Sequence, residues 1–462
     1  MTTTTTAHLS DAGRRGGRLL QILGVGFGIA VGVGATIGGG ILRTPGDVAG
    51  FMGTAALTCA IWLVGGLYTL LCSGAVSELA TMLPRAGGWY VYSERAFGKR
   101  LGFVVGCCDW MNQAVGIAFL SVALGEFVVE LYPALSPYTT AIAITGLVAL
   151  FLLNLVGLRS GSRTQTITSV AKAVALIALV IGCFSVASST GSSAAIHLPT
   201  HSPAPPLGWL LAFQAVMVTY DAWYTPIYFA EEDQNPLRNL PRSLVATVVS
   251  CAVIFLLINV ALIHVLGMER LQSAKVPGAE ASLAVFGSYG RQVFLMISII
   301  TVISANNATL LTAPRVLYGM ARDRLLPGRL AAVNRGGTPA WALFLCMIVS
   351  ITLILSGTFE TLIAIDSVIL AVIYVFVFAS LLALRRREPD LPRPCKAWWY
   401  PWSAVCALVV SLGFLLGAVI GDLRHSLFTV VLVAGSYLVS CAIVRARGAA
   451  SASSGRPAPP AQ

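Results

Sequence analysis

The chemistry available to this chain lies in two stretches of main chain more than in any set of side chains. Gly34-Ala35-Thr36-Ile37-Gly38-Gly39-Gly40-Ile41 interrupts an apolar run that opens near Gln21. Thr219-Tyr220-Asp221-Ala222-Trp223-Tyr224-Thr225-Pro226 interrupts another that opens near Leu207. Lipid supplies no hydrogen bonds, so an interrupted span must hand its freed backbone groups to protein, water or a solute. Breaks at matching places in two halves of a chain point to a solute site near the bilayer midplane. Three consecutive glycines permit φ > 0 and a close approach by a ligand. A helix restarting near Ile41 leaves the Gly39 and Gly40 amides at its N-terminus, where an anion gains up to ~2 kcal/mol when partly buried. The preceding half-helix ends near Thr36, and its orphan carbonyls suit a cation. Pro226 lacks a donor and is expected to free the Ala222 carbonyl, with those of Val218 and Asp221 facing the same cavity. Amides for an anion beside carbonyls for a cation suit a zwitterion, of which a free α-amino acid is the simplest. The competing reading is close helix packing through small residues. It accounts for the spaced Gly24, Gly28 and Gly32 better than for Gly38-Gly39-Gly40.

Side chains add a few charged groups. Lys172 sits about eight residues into a span, some ~12 Å past its start. Unpaired at that depth it costs roughly 2.5–3.5 kcal/mol or more, so it requires a partner or a cavity. It reads as a proton carrier, as a fixed cation where a sodium ion would otherwise bind, or as a structural lysine bonded to helix-end carbonyls. Asp221 can balance Lys172, meet a cationic group of the solute, or cap the restarting half-helix. Tyr220, Trp223 and Tyr224 can close over a solute or simply pack. Asp109, Glu126 and Asp366 also lie in spans, without an assigned role. Of the five histidines only His264 is inside a span, with His425 at the edge of the last one, and the ten cysteines, adjacent Cys107 and Cys108 included, lack metal-ligand spacing. No metal, cofactor or catalytic residue is expected, and the chain is not read as an enzyme.

These groups need a membrane to hold them. Only 11% of the 462 residues are charged, 56% are hydrophobic, and the mean hydropathy is +0.82. Soluble domains carry about a quarter charged residues. Apolar runs long enough to cross a bilayer recur twelve times, at 21–50, 55–83, 101–131, 138–157, 164–188, 207–230, 242–268, 290–320, 339–357, 359–384, 401–421 and 425–444. On that count 22 basic residues fall in the loops and tails of one side and four in those of the other. The skew places both termini in the cytoplasm. The +11 net charge is thus a topology signal and gives no support to nucleic-acid binding. No cleavable signal peptide is expected, since Met1–Ser10 is Thr-rich and leads straight into a full-length span. The expected fold is an all-α integral membrane protein of 12 transmembrane helices. Spans 1–5 (21–188) and spans 6–10 (207–384) each open on a discontinuous helix. Five is odd, so the second set enters from the opposite side, a 5+5 inverted repeat. Two extra helices follow at 401–444. Residues 1–20 form an N-terminal tail, 189–206 an irregular external loop, 385–400 a basic loop and 445–462 a C-terminal tail, with 1–13 and 448–462 disordered.

Several motifs in sequence order resemble the amino acid–polyamine–organocation permeases, nearest their L-type amino acid transporter branch. They are Gly34 through Gly40, and the stretch Glu78 through Tyr92 ending at Ala96-Phe97-Gly98. Thr168 through Lys172, Glu231-Glu232 with Asn235-Pro236 and Pro241-Arg242, and Ala313-Pro314-Arg315 through Asp323 with Leu326-Pro327 complete the set. The resemblance runs from about Leu23 to Pro339. It implies the five-plus-five fold, a substrate carboxylate held by the amides at Gly39 and Gly40, and an amino group held by the carbonyls at Thr36, Val218 and Asp221. It also implies a Lys172 that replaces a sodium site and is linked to proton coupling in some members. Where relatives carry a gating aromatic this chain has Val218. Ala222 replaces their glycine and Gly39 a frequent serine. The loop near Tyr132–Tyr138 lacks the cysteine that joins a partner subunit in some members, so no disulfide-linked partner is expected.

The expectation is secondary transport of an amino acid or related amine across the plasma membrane, a bacterial inner membrane, by alternating access. Thr36, Ile37, Gly38, Gly39, Gly40, Val218, Tyr220, Asp221, Ala222 and Trp223 are the candidate substrate-binding residues, and Lys172 the candidate for proton coupling. Proton-coupled symport comes first. Amino acid exchange and polyamine or organocation transport are the alternatives, ahead of a membrane sensor that binds the same ligand without moving it.

Overall fold

The computed structural model describes residues 19–186, 205–357, 359–421 and 423–453. Helices dominate the chain, as a bilayer requires of backbone without water. The first apolar run is α1 (Val25–Thr36) and α2 (Gly40–Met52), two pieces bent by 52°. There follow α3 (Ala55–Met82), a short α4 (Trp89–Phe97), α5 (Lys99–Leu131), α6 (Thr139–Val156) and α7 (Leu158–Ser185). After the residues outside the description come α8 (Pro205–Tyr220), a 3₁₀ stretch Thr225–Phe229, α9 (Pro236–Ser273), α10 (Pro277–Phe286), α11 (Gly290–Arg322), α12 (Ala340–Ser356), α13 (Phe359–Arg387), α14 (Trp402–Gly421) and α15 (Leu423–Ser453). Among the described residues nine helices are long and apolar enough to cross a membrane, ten with the bent pair counted as one. The apolar helix α12 is shorter, at 17 residues.

Local sequence explains the ends. Gly53 closes α2 in the left-handed region (φ 73), and the Thr54 hydroxyl accepts the Leu57 N–H to open α3. Gly267 (φ 72) turns α9 sharply near its end. Two helices go beyond the sequence expectation because they are too short to register as spans: α4, bracketed by Gly88 and Gly98, and α10, opened by Pro277 and closed by Gly287. Two tails also differ from it. Helix α15 runs on to Ser453, past the expected boundary at 444, carried by an alanine-rich sequence of high helix propensity. At the other end, α1 begins only at Val25, because Gly24 is extended and Leu23 pairs with Asp233 in a parallel bridge. Most of the 189–206 loop, with 1–18 and 454–462, lies outside the described residues.

Packing among the described residues falls mainly into two apolar clusters, beside a small third one of Ala123, Leu124 and Val302. One joins α3 to α5 with α11 to α14 and takes in Trp223 and Tyr224. The other joins α1 and α2 to α8 and α9 and takes in Ile37, Ile41 and Tyr220. The second break thus falls on the seam between them. Helices α1 and α9 approach closely through Gly28 and Gly32, where an added Cβ would stand 2.3 Å from the hydroxyls of Ser243 and Thr247. Gly24, grouped with them by spacing, meets nothing within 4 Å.

Candidate functional site

The first break is built from three peptide units. Ile37 (φ −76, ψ 83) is the centre of an inverse γ-turn in which the Gly38 N–H bonds the Thr36 carbonyl at 2.8 Å. Helix α2 then starts at Gly40, with Gly39 as its N-cap in the right-handed region. None of Gly38, Gly39 and Gly40 adopts a positive φ. The glycines serve instead as missing side chains: a Cβ on Gly38 or Gly39 meets nothing within 4 Å, and Gly40 is exposed. The amides of Gly39, Gly40 and Ile41 donate to no group among the described residues.

Lys172 closes the other side of this break. It is fully buried, and its Nζ donates to the Gly34 carbonyl at 2.7 Å and the Ile37 carbonyl at 2.6 Å. A cation on the last carbonyls of α1 complements both the orphan acceptors and the helix dipole. No ion pair joins Lys172 to Asp221 among the described residues, and the Asp221 carboxylate accepts from Tyr374 instead. Behind the lysine, Gln165 and Ser169 continue the same face of α7 and bond Asn307 and Ser304 of α11, while the Ser169 hydroxyl donates to the Ala30 carbonyl.

The second break turns on Ala222, a non-glycine residue at φ 66. The Asp221 N–H bonds the Val218 carbonyl at 3.3 Å. The Ala222 carbonyl, expected to be freed by Pro226, is taken by Thr225 through its N–H at 3.2 Å and its hydroxyl at 2.5 Å. Proline removed one donor, and threonine one position earlier supplied two. The Asp221 carbonyl accepts nothing among the described residues. Its carboxylate accepts from the Tyr374 hydroxyl of α13, and Asp366, which interacts electrostatically with Asp221, accepts from Asn112 of α5 at 2.7 Å. Asp109 accepts from Tyr228 at 2.7 Å. Val218 is half exposed at 39%, and Asp221 and Ala222 partly so. Tyr220 and Trp223 are packed: the Tyr220 ring lies 4.9 Å from Phe255 and its hydroxyl bonds the Trp62 carbonyl, and Trp223 is 2% exposed.

The two breaks adjoin, since a Cβ on Gly40 would stand 3.5 Å from Thr219. Unpaired amides, open space and carboxylates therefore share one region. A separate cleft of about 330 Å³, lined by Phe27, Arg163 and Thr166 among others, opens between the start of α1 and α7, away from the breaks. Tyr374 and Asn112 escaped the sequence reading, and Thr219 entered it only as the first residue of the second break, without a role. Each is a polar residue in a largely apolar helix that meets a residue of another element, which shows only once the helices are assembled. The pair Arg43 and Asp47 was legible, as two charges four apart within the first span, but stood outside the loop tally.

An all-helical membrane protein with a broken first span and open backbone amides at the break is of the class that handles small solutes within the bilayer. The amino acid permease family matches residues 20–439, and the chain belongs to that family. It is an amino acid transporter and not an enzyme. It is 25% identical over 419 residues to the serine/threonine exchanger of Bacillus subtilis, covering 89% of this chain and 92% of the relative. It is 28% identical to the mouse Asc-type amino acid transporter 1, over 79% and 70% of the two chains. It is likewise 28% identical to the human large neutral amino acids transporter small subunit 2, over 84% and 74%.

Proposed function

We propose that this protein is an amino acid exchanger of the plasma membrane, with twelve spans in a 5+5 inverted repeat, both termini cytoplasmic, and a substrate site between the two breaks. The observation that carries the reading is the set of amides at Gly39, Gly40 and Ile41 that have no acceptor among the described residues, beside the open space left by the missing side chains of Gly38 and Gly39. These amides receive the substrate carboxylate. The amino group lies toward the Asp221 and Val218 carbonyls and the second lone pair of Thr36. Exchange takes precedence over the proton-coupled uptake expected first from sequence, for two reasons. The relative matched over 92% of its length is named an exchanger. In addition, Lys172 already satisfies two helix-end carbonyls as a fixed cation and needs no proton cycle to do so. The test is counterflow in proteoliposomes with each of the twenty radiolabelled amino acids. Uptake is expected to require unlabelled amino acid inside and to be indifferent to an inward proton gradient. Uptake into empty vesicles driven by that gradient would overturn exchange in favour of symport.

A second reading concerns the substrate's side chain. Asp221 and Asp366 lie close together, partly accessible, with Tyr374 and Asn112 as their hydrogen-bond donors and no cation on them among the described residues. A cationic amine would find complementary charge there. Competition by putrescine and agmatine against neutral amino acids separates the two.

A further inference from the structure

Helix α2 carries charge where a membrane helix should not. Its residues Ile41, Leu42, Pro45, Gly46, Val48, Ala49 and Met52 are buried, while Gly40, Arg43 and Asp47 are exposed. Those three positions fall at i, i+3 and i+7, one face of the helix. At 1.5 Å per residue, Arg43 stands ~4.5 Å and Asp47 ~10 Å beyond the break. Half the thickness of the hydrocarbon core is about 15 Å. Both charges are therefore at membrane depth if the break is near the midplane. Exposed charges at such depth face water, because lipid contact costs several kcal/mol per group. The exposed face of α2 is thus the wall of an aqueous vestibule that descends to Gly40.

Arg43 and Asp47 do not neutralise each other by contact. No ion pair within 4 Å joins them, and Arg43 has no hydrogen-bonded partner among the described residues, although the two interact electrostatically across one helical turn. Two opposite charges whose backbone positions are about 6 Å apart along one wetted face form an open dipole, and the Gly39 and Gly40 amides lie one turn further in.

We propose that the Gly40–Arg43–Asp47 face is an outer docking subsite for zwitterionic amino acids, with Arg43 receiving the carboxylate and Asp47 the ammonium before the solute moves down to the break. The assignment rests on the exchange reading above, which places α2 in the outer half of the membrane. Arg43 draws the carboxylate toward amides that carry only partial charge. Asp47 keeps simple anions from accumulating there. A charged cleft raises the capture rate of a complementary solute by about tenfold or more, and salt erodes the gain.

The subsite acts from one side only, and its test is sidedness. Full-length protein is reconstituted and the exchange KM measured separately for the outer and inner faces, with the amino acid that exchanges fastest in the counterflow panel. Arg43→Gln is expected to raise the outer KM about tenfold at low ionic strength and to leave the inner KM unchanged. Added salt should raise the outer KM of the unmodified protein and not that of the variant. Equal changes on both faces, or none, would overturn the proposal. Absence of counterflow in the unmodified protein would instead sink the exchange reading. A second measurement needs no transport. R43C and D47C in intact cells should react with a membrane-impermeant thiol reagent, above the background of the native cysteines, and an amino acid mixture should slow the reaction. No reaction from outside would remove the vestibule and the subsite together.

Discussion

Gly39 and Ala222 are opposite cases of how a residue's backbone and its missing or present Cβ act at the breaks. Gly39 has φ −64 and ψ −17, a conformation any residue accepts, and open space where a Cβ would go. Folding therefore does not explain the glycine. Gly39→Val is expected to change stability by no more than about 0.5 kcal/mol while raising the exchange KM at least tenfold, since its methyls would cover the free amides. Loss of folded protein together with activity in a thermal melt would contradict this. Ala222 is the reverse, a Cβ held at φ 66, which costs of order 1 kcal/mol. Ala222→Gly relieves that strain against the added chain entropy of glycine and should stabilise by up to about 0.5 kcal/mol, read as a slightly higher melting temperature. Lys172 was legible as a buried cation from its depth alone. That it bonds helix-end carbonyls is one of the readings the sequence supports, and it does so here; which two carbonyls was not legible, because a γ-turn at Ile37 had to bring Gly34 and Ile37 to one point. The freed carbonyl at Ala222 was misjudged for a related reason. Counting the donor that Pro226 removes says nothing of the donors that Thr225 adds.

At the scale of elements, helices are recognisable wherever hydrophobicity alone sets them. The apolar runs foretold α3, α5, α6 and α11 to within a few residues at each end, and the glycine break foretold the bend between α1 and α2. What sequence did not convey was contact between elements. Arg315 and Glu232 illustrate it: apart in the chain, they meet as an ion pair at 2.9 Å with exposures of 1% and 0%. Arg315 also donates to the Leu311 carbonyl at 2.6 Å, and its guanidinium lies 5.3 Å from the Phe229 ring. The pair ties the turn after the second break to α11. Taking one partner away strands the other charge without water, so Arg315→Met or Glu232→Leu alone should cost about 3–5 kcal/mol. The double variant leaves no stranded charge and should recover much of that loss. A double-mutant cycle on thermal unfolding in detergent checks it, and additive losses would show that the pair acts through packing alone.

For the molecule as a whole, the exchange proposed above would require, by alternating access, that one end stay shut while the other admits solute. The end near the second break carries a lattice of partly exposed charges: Glu231 with Arg322, Arg322 with Asp323, Asp323 with Arg85 at 2.7 Å and with the Tyr90 hydroxyl at 3.1 Å. Beside it Leu23 exchanges backbone hydrogen bonds with Glu232 and Gln234, at 3.0 and 2.9 Å, which ties the start of α1 to the end of the second break. The far end, beyond Arg43 and Asp47, is the one with an accessible wall. The difference in burial between the two kinds of ion pair decides which can serve as a reversible latch. Arg315–Glu232 is too costly to break in each cycle, whereas partly exposed pairs are worth only about 0–1 kcal/mol each and weaken in salt. A shift of ~1 kcal/mol changes a two-state population about fivefold. Glu231→Gln with Arg322→Gln is therefore expected to move the resting population toward the state open at this end by up to that factor. The readout is a cysteine placed at Ala35, beneath the break. In inside-out vesicles its rate of labelling by an impermeant thiol reagent should rise in the double variant, and 0.5 M salt should raise it in the protein without those two changes, because screening weakens the same contacts. A rate insensitive to both changes would mean that this end is held shut by the apolar seam and the Leu23 bridge, with the charges fixing only where the chain emerges from the membrane.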